Sequence, residues 1–75
     1  MATAFVLINA EVGEENRVHM QLKEIPEVKE TYMVFGVYDI IARVQTETMQ
    51  ELKDVLSWKI RRLDKVGSTL TMIVI

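Results

Sequence analysis

Four consecutive residues, Gly36-Val37-Tyr38-Asp39, form the most chemically suggestive arrangement in this sequence. They stand between two runs that alternate apolar and polar side chains, so they read as the link of a hairpin. Glycine reaches the positive φ that a tight turn requires. A carboxylate three places later then arrives at the mouth of the next strand with its oxygens free to accept hydrogen bonds from a cationic group. Taken alone, these four residues fit an ordinary turn whose Asp opens a strand, and the wider pattern has to decide between the two.

Other chemistry is sparse. Cysteine is absent, which excludes disulfides, thiolate zinc sites, soft-metal carriage and a cysteine nucleophile. His19 is the one imidazole; it sits at helical spacing from Glu15 and Lys23 with no second imidazole or thiol nearby, so it reads as a surface residue. Neither a metal nor a cofactor is expected. The cations Lys59, Arg61, Arg62 and Lys65 cluster at the end of a helix, where they complement the helix dipole rather than mark a phosphate patch. Trp58 points away from the stripe of Leu52, Leu56 and Leu63, as an interface residue does. Phe5, Tyr32, Phe35 and Tyr38 stand singly, without the basic flanks of an RNA-recognition sheet.

The elements that must position these residues follow from periodicity. Ala4 to Val12 holds the apolar run Phe5, Val6, Leu7, Ile8 and is closed by Gly13, which predicts a central strand buried on both faces. Val18, Leu22 and Ile25 fall at helical spacings over Glu14 to Glu24, and Pro26 stops that helix. Glu27 to Phe35 alternates, with Val28, Glu30, Tyr32 and Val34 opposing Lys29, Thr31, Met33 and Phe35, and Tyr38 to Gln45 continues in the same style. The pair forms a hairpin around Gly36 and Val37. Thr48 with Glu51 makes a capping-box pattern, after which Met49, Leu52, Val55, Leu56, Ile60 and Leu63 line one side of a long helix ending before Val66 and Gly67. Ser68 to Ile75 is a last strand, with Ser68, Leu70, Met72 and Val74 on one face and Thr69, Thr71, Ile73 and Ile75 on the other.

Strand, helix, strand, strand, helix, strand in 75 residues predicts one α+β domain over 1–75: a ferredoxin-like βαββαβ sandwich, a four-stranded antiparallel sheet with two helices on one face. A domain this small buries only about 60% of its unfolded surface. Since the uncovered sheet face is also apolar, dimerisation through the sheet is expected. A composition with 49% hydrophobic and 27% charged residues is globular, and no apolar run reaches a membrane span. Met1 to Ala10 lacks a basic lead and runs into Glu11, Glu14 and Glu15, which makes a poor secretion signal and sets a cytoplasmic expectation. A net charge of -2 gives no field that would draw the domain to nucleic acid.

The order and spacing of these features resemble the effector-binding (RAM) domain of Lrp/AsnC regulators. Its second and third strands meet in a G-x-Y/F-D turn followed by branched apolar residues and a Val, matched here by Gly36-Val37-Tyr38-Asp39-Ile40-Ile41-Ala42-Arg43-Val44. The match runs on through the acidic start of the second helix, Ile60, Leu63 and the strand Ser68 to Val74. One departure is local: the family usually places Pro-Gly before the Val that opens the last strand, and this chain has Asp64-Lys65 before Val66. Another is large. The first strand begins within a few residues of Met1, which leaves no room for the family's DNA-reading helix-turn-helix and implies a stand-alone sensor module.

The resemblance implies dimers that pair through their sheets and join into an octamer or decamer, with a free amino acid bound where dimers meet. On that expectation Asp39 accepts the ligand's ammonium, backbone N–H groups of the turn at Gly36 and Val37 receive its carboxylate, and Thr69 and Thr71 supply hydroxyls. Tyr38 and Met72 line its side-chain pocket, and Trp58 belongs to an interface. Partners would include full-length Lrp/AsnC relatives or a metabolic enzyme, with no direct DNA binding. Two alternatives stay open: a purely structural oligomerisation module without a small-molecule ligand, and a small enzyme using Asp39 or Glu30 as base, which lacks an imidazole partner.

Overall fold

β-branched alternation and helical spacing resolve into six elements in the computed structural model, which describes residues Met1–Ile75. They are β1 Ala2–Ala10, α1 Glu15–Lys23, β2 Val28–Met33, β3 Ile40–Thr46, α2 Met49–Asp54 and β4 Val66–Ile73, with α2 continuing as a π-helical segment over Val55–Ile60. The strands form one sheet in the order β2-β3-β1-β4, every neighbouring pair antiparallel. β1 is therefore central, and the ferredoxin-like arrangement expected from the sequence is the one observed.

The core lies on one face of that sheet. Ala2, Ala4, Val6 and Ile8 of β1 sit opposite Thr46, Val44, Ala42 and Ile40 of β3, and all eight are buried. Val18, Leu22 and Ile25 from the first helical region close over them, with Leu52, Val55, Leu56 and Ile60 from the second. Fully burying side chains such as Ile8, Leu22, Leu52 and Ile60 contributes about 1.5–3 kcal/mol each. His19 fastens α1 to the sheet edge through a 2.8 Å hydrogen bond between Nε2 and Thr31 Oγ1.

Burial of β1 on both faces does not occur within the chain. Phe5 and Leu7 turn away from the helices, against Met72 and Leu70 of β4, and Phe5 is 37% exposed. A continuous apolar run reports only that both faces are apolar, not that one chain covers both. Arg43, Glu30 and Tyr32 occupy the same open face: Arg43 Nε donates to Glu30 Oε1, and the Tyr32 hydroxyl donates to Glu30 Oε2 at 3.0 Å.

Strict alternation also fails in β2. The pairing steps from Val28↔Val44 to Glu30↔Arg43, leaving Lys29 as the extra residue of a bulge. Val28 consequently shares the helix-facing side with Thr31 and Met33, not with Glu30 and Tyr32. In β4 the two faces separate as expected, Thr69 and Thr71 pairing with core-facing Ile8 and Val6.

The second helix starts at the expected cap. Thr48 Oγ1 accepts the Glu51 N–H at 3.2 Å and donates to the Glu51 carboxylate at 3.0 Å. Met49 is 41% exposed and leaves the apolar stripe, which begins in earnest at Leu52. Beyond Asp54 the turn widens, and the Arg61 N–H donates to Leu56 O, five residues back, at 3.3 Å. The loop into β4 then brings Lys65 to φ 69°. That is the left-handed region, taken by a lysine at the place where a glycine was the expected residue.

These contacts set two expectations. Lys65→Gly is expected to stabilise the fold by about 0.5–1 kcal/mol in urea unfolding, because relief of left-handed strain exceeds the added freedom of the unfolded glycine. The second concerns acid. Lys59 Nζ at 3.0 Å holds the Glu27 carboxyl below its ordinary 4.5, and Arg43, then Tyr32, do the same for Glu30. A carboxyl lowered in the native state adds stability that is complete above its unfolded value and disappears as pH falls through the native one. Stability is thus expected to fall below about pH 4.5, and Glu30→Gln to flatten that fall, when unfolding is followed from about pH 6 to 3.

Candidate functional site

Antiparallel pairing of β1 with β3 brings the exit of β1 beside the entrance to β3. The segment leaving the first strand must therefore face the segment entering the second. Here the β1–α1 connection meets the loop Val34–Asp39, which spans six residues rather than the two-residue turn expected at Gly36 and Val37, because β2 ends at Met33 and β3 begins only at Ile40. Tyr38 and Asp39 accordingly lie in the loop and not in the strand.

Asp39 is the anchor of that loop. Its N–H donates to Ile8 O at 3.0 Å, and its carbonyl accepts the Val34 N–H at 2.8 Å. Its carboxylate is not wholly free, as the sequence alone suggested: Oδ2 accepts the Ala10 N–H at 3.1 Å, satisfying a donor where the β1–β4 register shifts and Gly67 is the extra residue of β4. Oδ1 has no hydrogen-bond partner in the chain. Between the two anchored ends, the N–H groups of Phe35, Gly36, Val37 and Tyr38 likewise donate to no acceptor within the chain. Gly36 lies at φ 156° with nothing within 4 Å of where a Cβ would stand.

Asp39 borders a cleft of about 360 Å³ between this loop and the first turn of α1, lined also by Glu15, Asn16, Met33, Val34 and Phe35. Two carboxylates and no cation line it, so it favours an ammonium over a third carboxylate. Phe35 and Val37 are fully or largely exposed at 108% and 83%, while Tyr38 is half-buried. Glu15, Asn16 and Phe35 escaped the reading of the sequence. The signal that points to them is topological, since α1 begins where β1 has just passed Asp39.

The remaining sequence-derived residues sit elsewhere on the protomer. Thr69 pairs with Ile8 on the far side from Ile40, roughly 10 Å across the sheet from β3 at two strand spacings, and Thr71 lies two residues further along. Met72 opposes Phe5 on the open face. Trp58 projects from the π-helical segment, 62% exposed, with the Arg62 guanidinium 4.2 Å from its ring centre. One protomer brings Gly36, Val37, Tyr38 and Asp39 together, but not Thr69, Thr71, Met72 or Trp58 with them.

Comparison with known proteins gives this end of the sheet its family. The sequence model of the Lrp/AsnC ligand binding domain matches residues 3–75. The chain belongs to the Lrp/AsnC family. Among curated relatives, the HTH-type transcriptional regulator FL11 of Pyrococcus furiosus is 33% identical over 72 residues, 96% of this chain and 47% of that protein. The chain spans about half the length of the curated relatives it matches. Among solved structures, the hypothetical protein PHS023 from Pyrococcus horikoshii superposes with a TM-score of 0.93 at 43% identity, covering 100% of this chain and 90% of that one. AsnC of E. coli gives 0.89 at 30% identity, covering 97% and 50%. Within the Lrp/AsnC family this chain corresponds to the regulatory ligand-binding domain, and the curated relatives are transcriptional regulators. None of its helices is long and apolar enough to cross a membrane.

Removing the Asp39 carboxylate strands a partly buried N–H. Asp39→Ala is expected to lose about 1–2 kcal/mol in chemical denaturation, whereas Asp39→Asn, which keeps an acceptor for Ala10, should stay within about 0.5 kcal/mol of the native chain.

Proposed function

We propose that this chain is an amino-acid-sensing regulatory module. One observation carries the reading: within five residues, an open carboxylate oxygen on Asp39 stands beside four unpaired backbone N–H groups, from Phe35 to Tyr38. A free α-amino acid is the matching ligand, its ammonium on Asp39 Oδ1 and its carboxylate on the loop N–H groups, where Gly36 has no Cβ to obstruct approach. The cleft beyond, walled by Met33 and Phe35, takes the ligand side chain.

The half-open cleft becomes a closed site where two dimers meet. Tyr38 and Met72 then line the side-chain pocket and Thr69 and Thr71 add hydroxyls, contributed by neighbouring chains, because one protomer does not gather them. Dimers form through the open sheet face, where Phe5, Leu7, Ile41, Leu70 and Met72 lack an intrachain cover. They assemble further into an octamer or decamer. Ligand bound between dimers favours one assembly over another by its differential affinity, so signalling is linkage and no covalent step is involved. Acting in the cytoplasm, the module modulates full-length Lrp/AsnC relatives or metabolic enzymes without touching DNA itself.

A second reading, a purely structural oligomerisation module, draws on the exposed Trp58 and the open apolar sheet face. Thermal unfolding with each of the common amino acids separates the two. A cognate ligand at 100 times its Kd is expected to add about 2.7 kcal/mol, and Asp39→Asn to abolish that gain while unfolding like the native chain without ligand. No shift with any amino acid would assign the module to assembly alone.

A further inference from the structure

The outward side of the second helix carries two opposite charges, Asp54 and Arg62, that form no ion pair within the chain. Asp54 lies four residues before Trp58 and Arg62 four residues after it. Helical packing keeps all three on one side: Arg62 lies over the Trp58 ring, and Asp54 shares a groove with Trp58, Glu51, Val55 and the paired Glu27 and Lys59. Neither charge is satisfied by an opposite one. The ion pairs of the chain are Arg17 with Glu14 and Asp64, Arg43 with Glu30, and Lys59 with Glu27. Asp54 receives only the Gln50 amide, at 3.1 Å, and Arg62 makes no hydrogen bond at all.

We infer that this stripe is a self-complementary seam between two copies of the chain, their second helices packed antiparallel about the two Trp58 rings. A twofold axis through Trp58 places each residue before it against the residue equally far after it on the partner. Asp54 then faces the partner's Arg62 twice over, and Glu51 faces the basic end of the partner helix. With its central carbon 4.2 Å from the Trp58 ring centre, the guanidinium has its donors unspent and available to a carboxylate of the second copy. An aromatic anchor flanked by opposite charges is the composition of an interface centre and its rim. A parallel arrangement would set Asp54 against Asp54 and Arg62 against Arg62, so charge selects the antiparallel one.

The seam lies on the helical layer, away from the sheet face used for dimerisation above, and it stands whether or not an amino acid binds. If that sheet pairing also holds, each chain has two different twofold contacts. Repeating them alternately links sheet dimers into a longer assembly, and any closed form of it holds an even number of chains.

Charge exchange tests the seam. Asp54→Arg and Arg62→Glu each replace two attractive pairs with two repulsive ones and are expected to weaken assembly by about 10-fold or more, reducing the light-scattering mass to the sheet dimer. The double variant D54R/R62E keeps the net charge, reverses the order of the two charges about Trp58 so that each again meets its opposite, and is expected to restore the mass. Trp58 is the single tryptophan, so its emission reports this seam directly. It should move to shorter wavelength as the native chain and the double variant assemble with concentration, and stay at longer wavelength in both single variants. Leu70→Glu, on the sheet face, should break the other contact and leave the concentration-dependent emission shift in place. Single variants of native mass, or a double variant that stays dissociated, would overturn the seam. So would Trp58 emission that is unmoved by assembly, or duplex DNA binding lost in Arg62→Glu while the mass is unchanged.

Discussion

Two short helices can shield only one side of a four-stranded sheet, and the whole molecule is arranged around that limit. All the buried apolar side chains converge into one cluster beneath α1 and the second helix, with β1 and β3 supplying its floor. Small and branched residues alternate along that floor, Ala4 against Val44 and Val6 against Ala42, so a small side chain on one strand meets a larger one on the other. The opposite face also carries apolar side chains, Phe5, Leu7, Ile41, Leu70 and Met72, set beside the polar Arg43 and Glu30, and it ends in solvent. Stability and association are therefore aspects of one problem, since a domain of this size gains much of what it lacks by burying its second face.

The same topology explains where binding chemistry can sit. Besides the outer edges of β2 and β4, strand ends are where backbone groups escape the ladder, and antiparallel pairing of β1 and β3 collects two such ends in one place. Asp39 uses that position twice. It ties the loop to β1 through main-chain and side-chain bonds, and it leaves one carboxylate oxygen pointing away from the protein's own donors. Rigidity and availability usually compete in a loop; a carboxylate has two oxygens and can supply both. Gly67 contributes at the same end of the sheet as the extra residue of β4 opposite Asn9 and Ala10, where a Cβ would come to 3.2 Å from Asn9 O and force a shift of a few tenths of an ångström.

Much of this was legible beforehand, and the failures have physical causes. The spacing of Val18, Leu22 and Ile25 and the pairing of Thr48 with Glu51 define their helices, since both patterns are local and have few competing explanations. The faces of β4 came out correctly for the same reason. The bulge at Lys29 did not, because a one-residue slip leaves the composition of a strand untouched while exchanging the sides its residues face. Nor did the true length of the Val34–Asp39 loop, as Gly36-Val37 lacks the Asn-Gly or Asp-Gly signature that marks a two-residue turn. The family match, by contrast, was carried by order and spacing across the chain, which survive such local slips.

The π-helical stretch has a consequence of a different kind. A turn closed five residues back holds one residue more than an α-turn, so it absorbs an insertion within the rod instead of extruding it as a bump. Across that stretch Ile60 still reaches the interior, while Trp58 stands on the outside beside Arg62, as the helical spacing of the sequence also has it. The widened turn thus carries an aromatic side chain on the surface while Val55, Leu56 and Ile60 of the same segment stay packed below. New contacts can arise in this way at little expense to the old core.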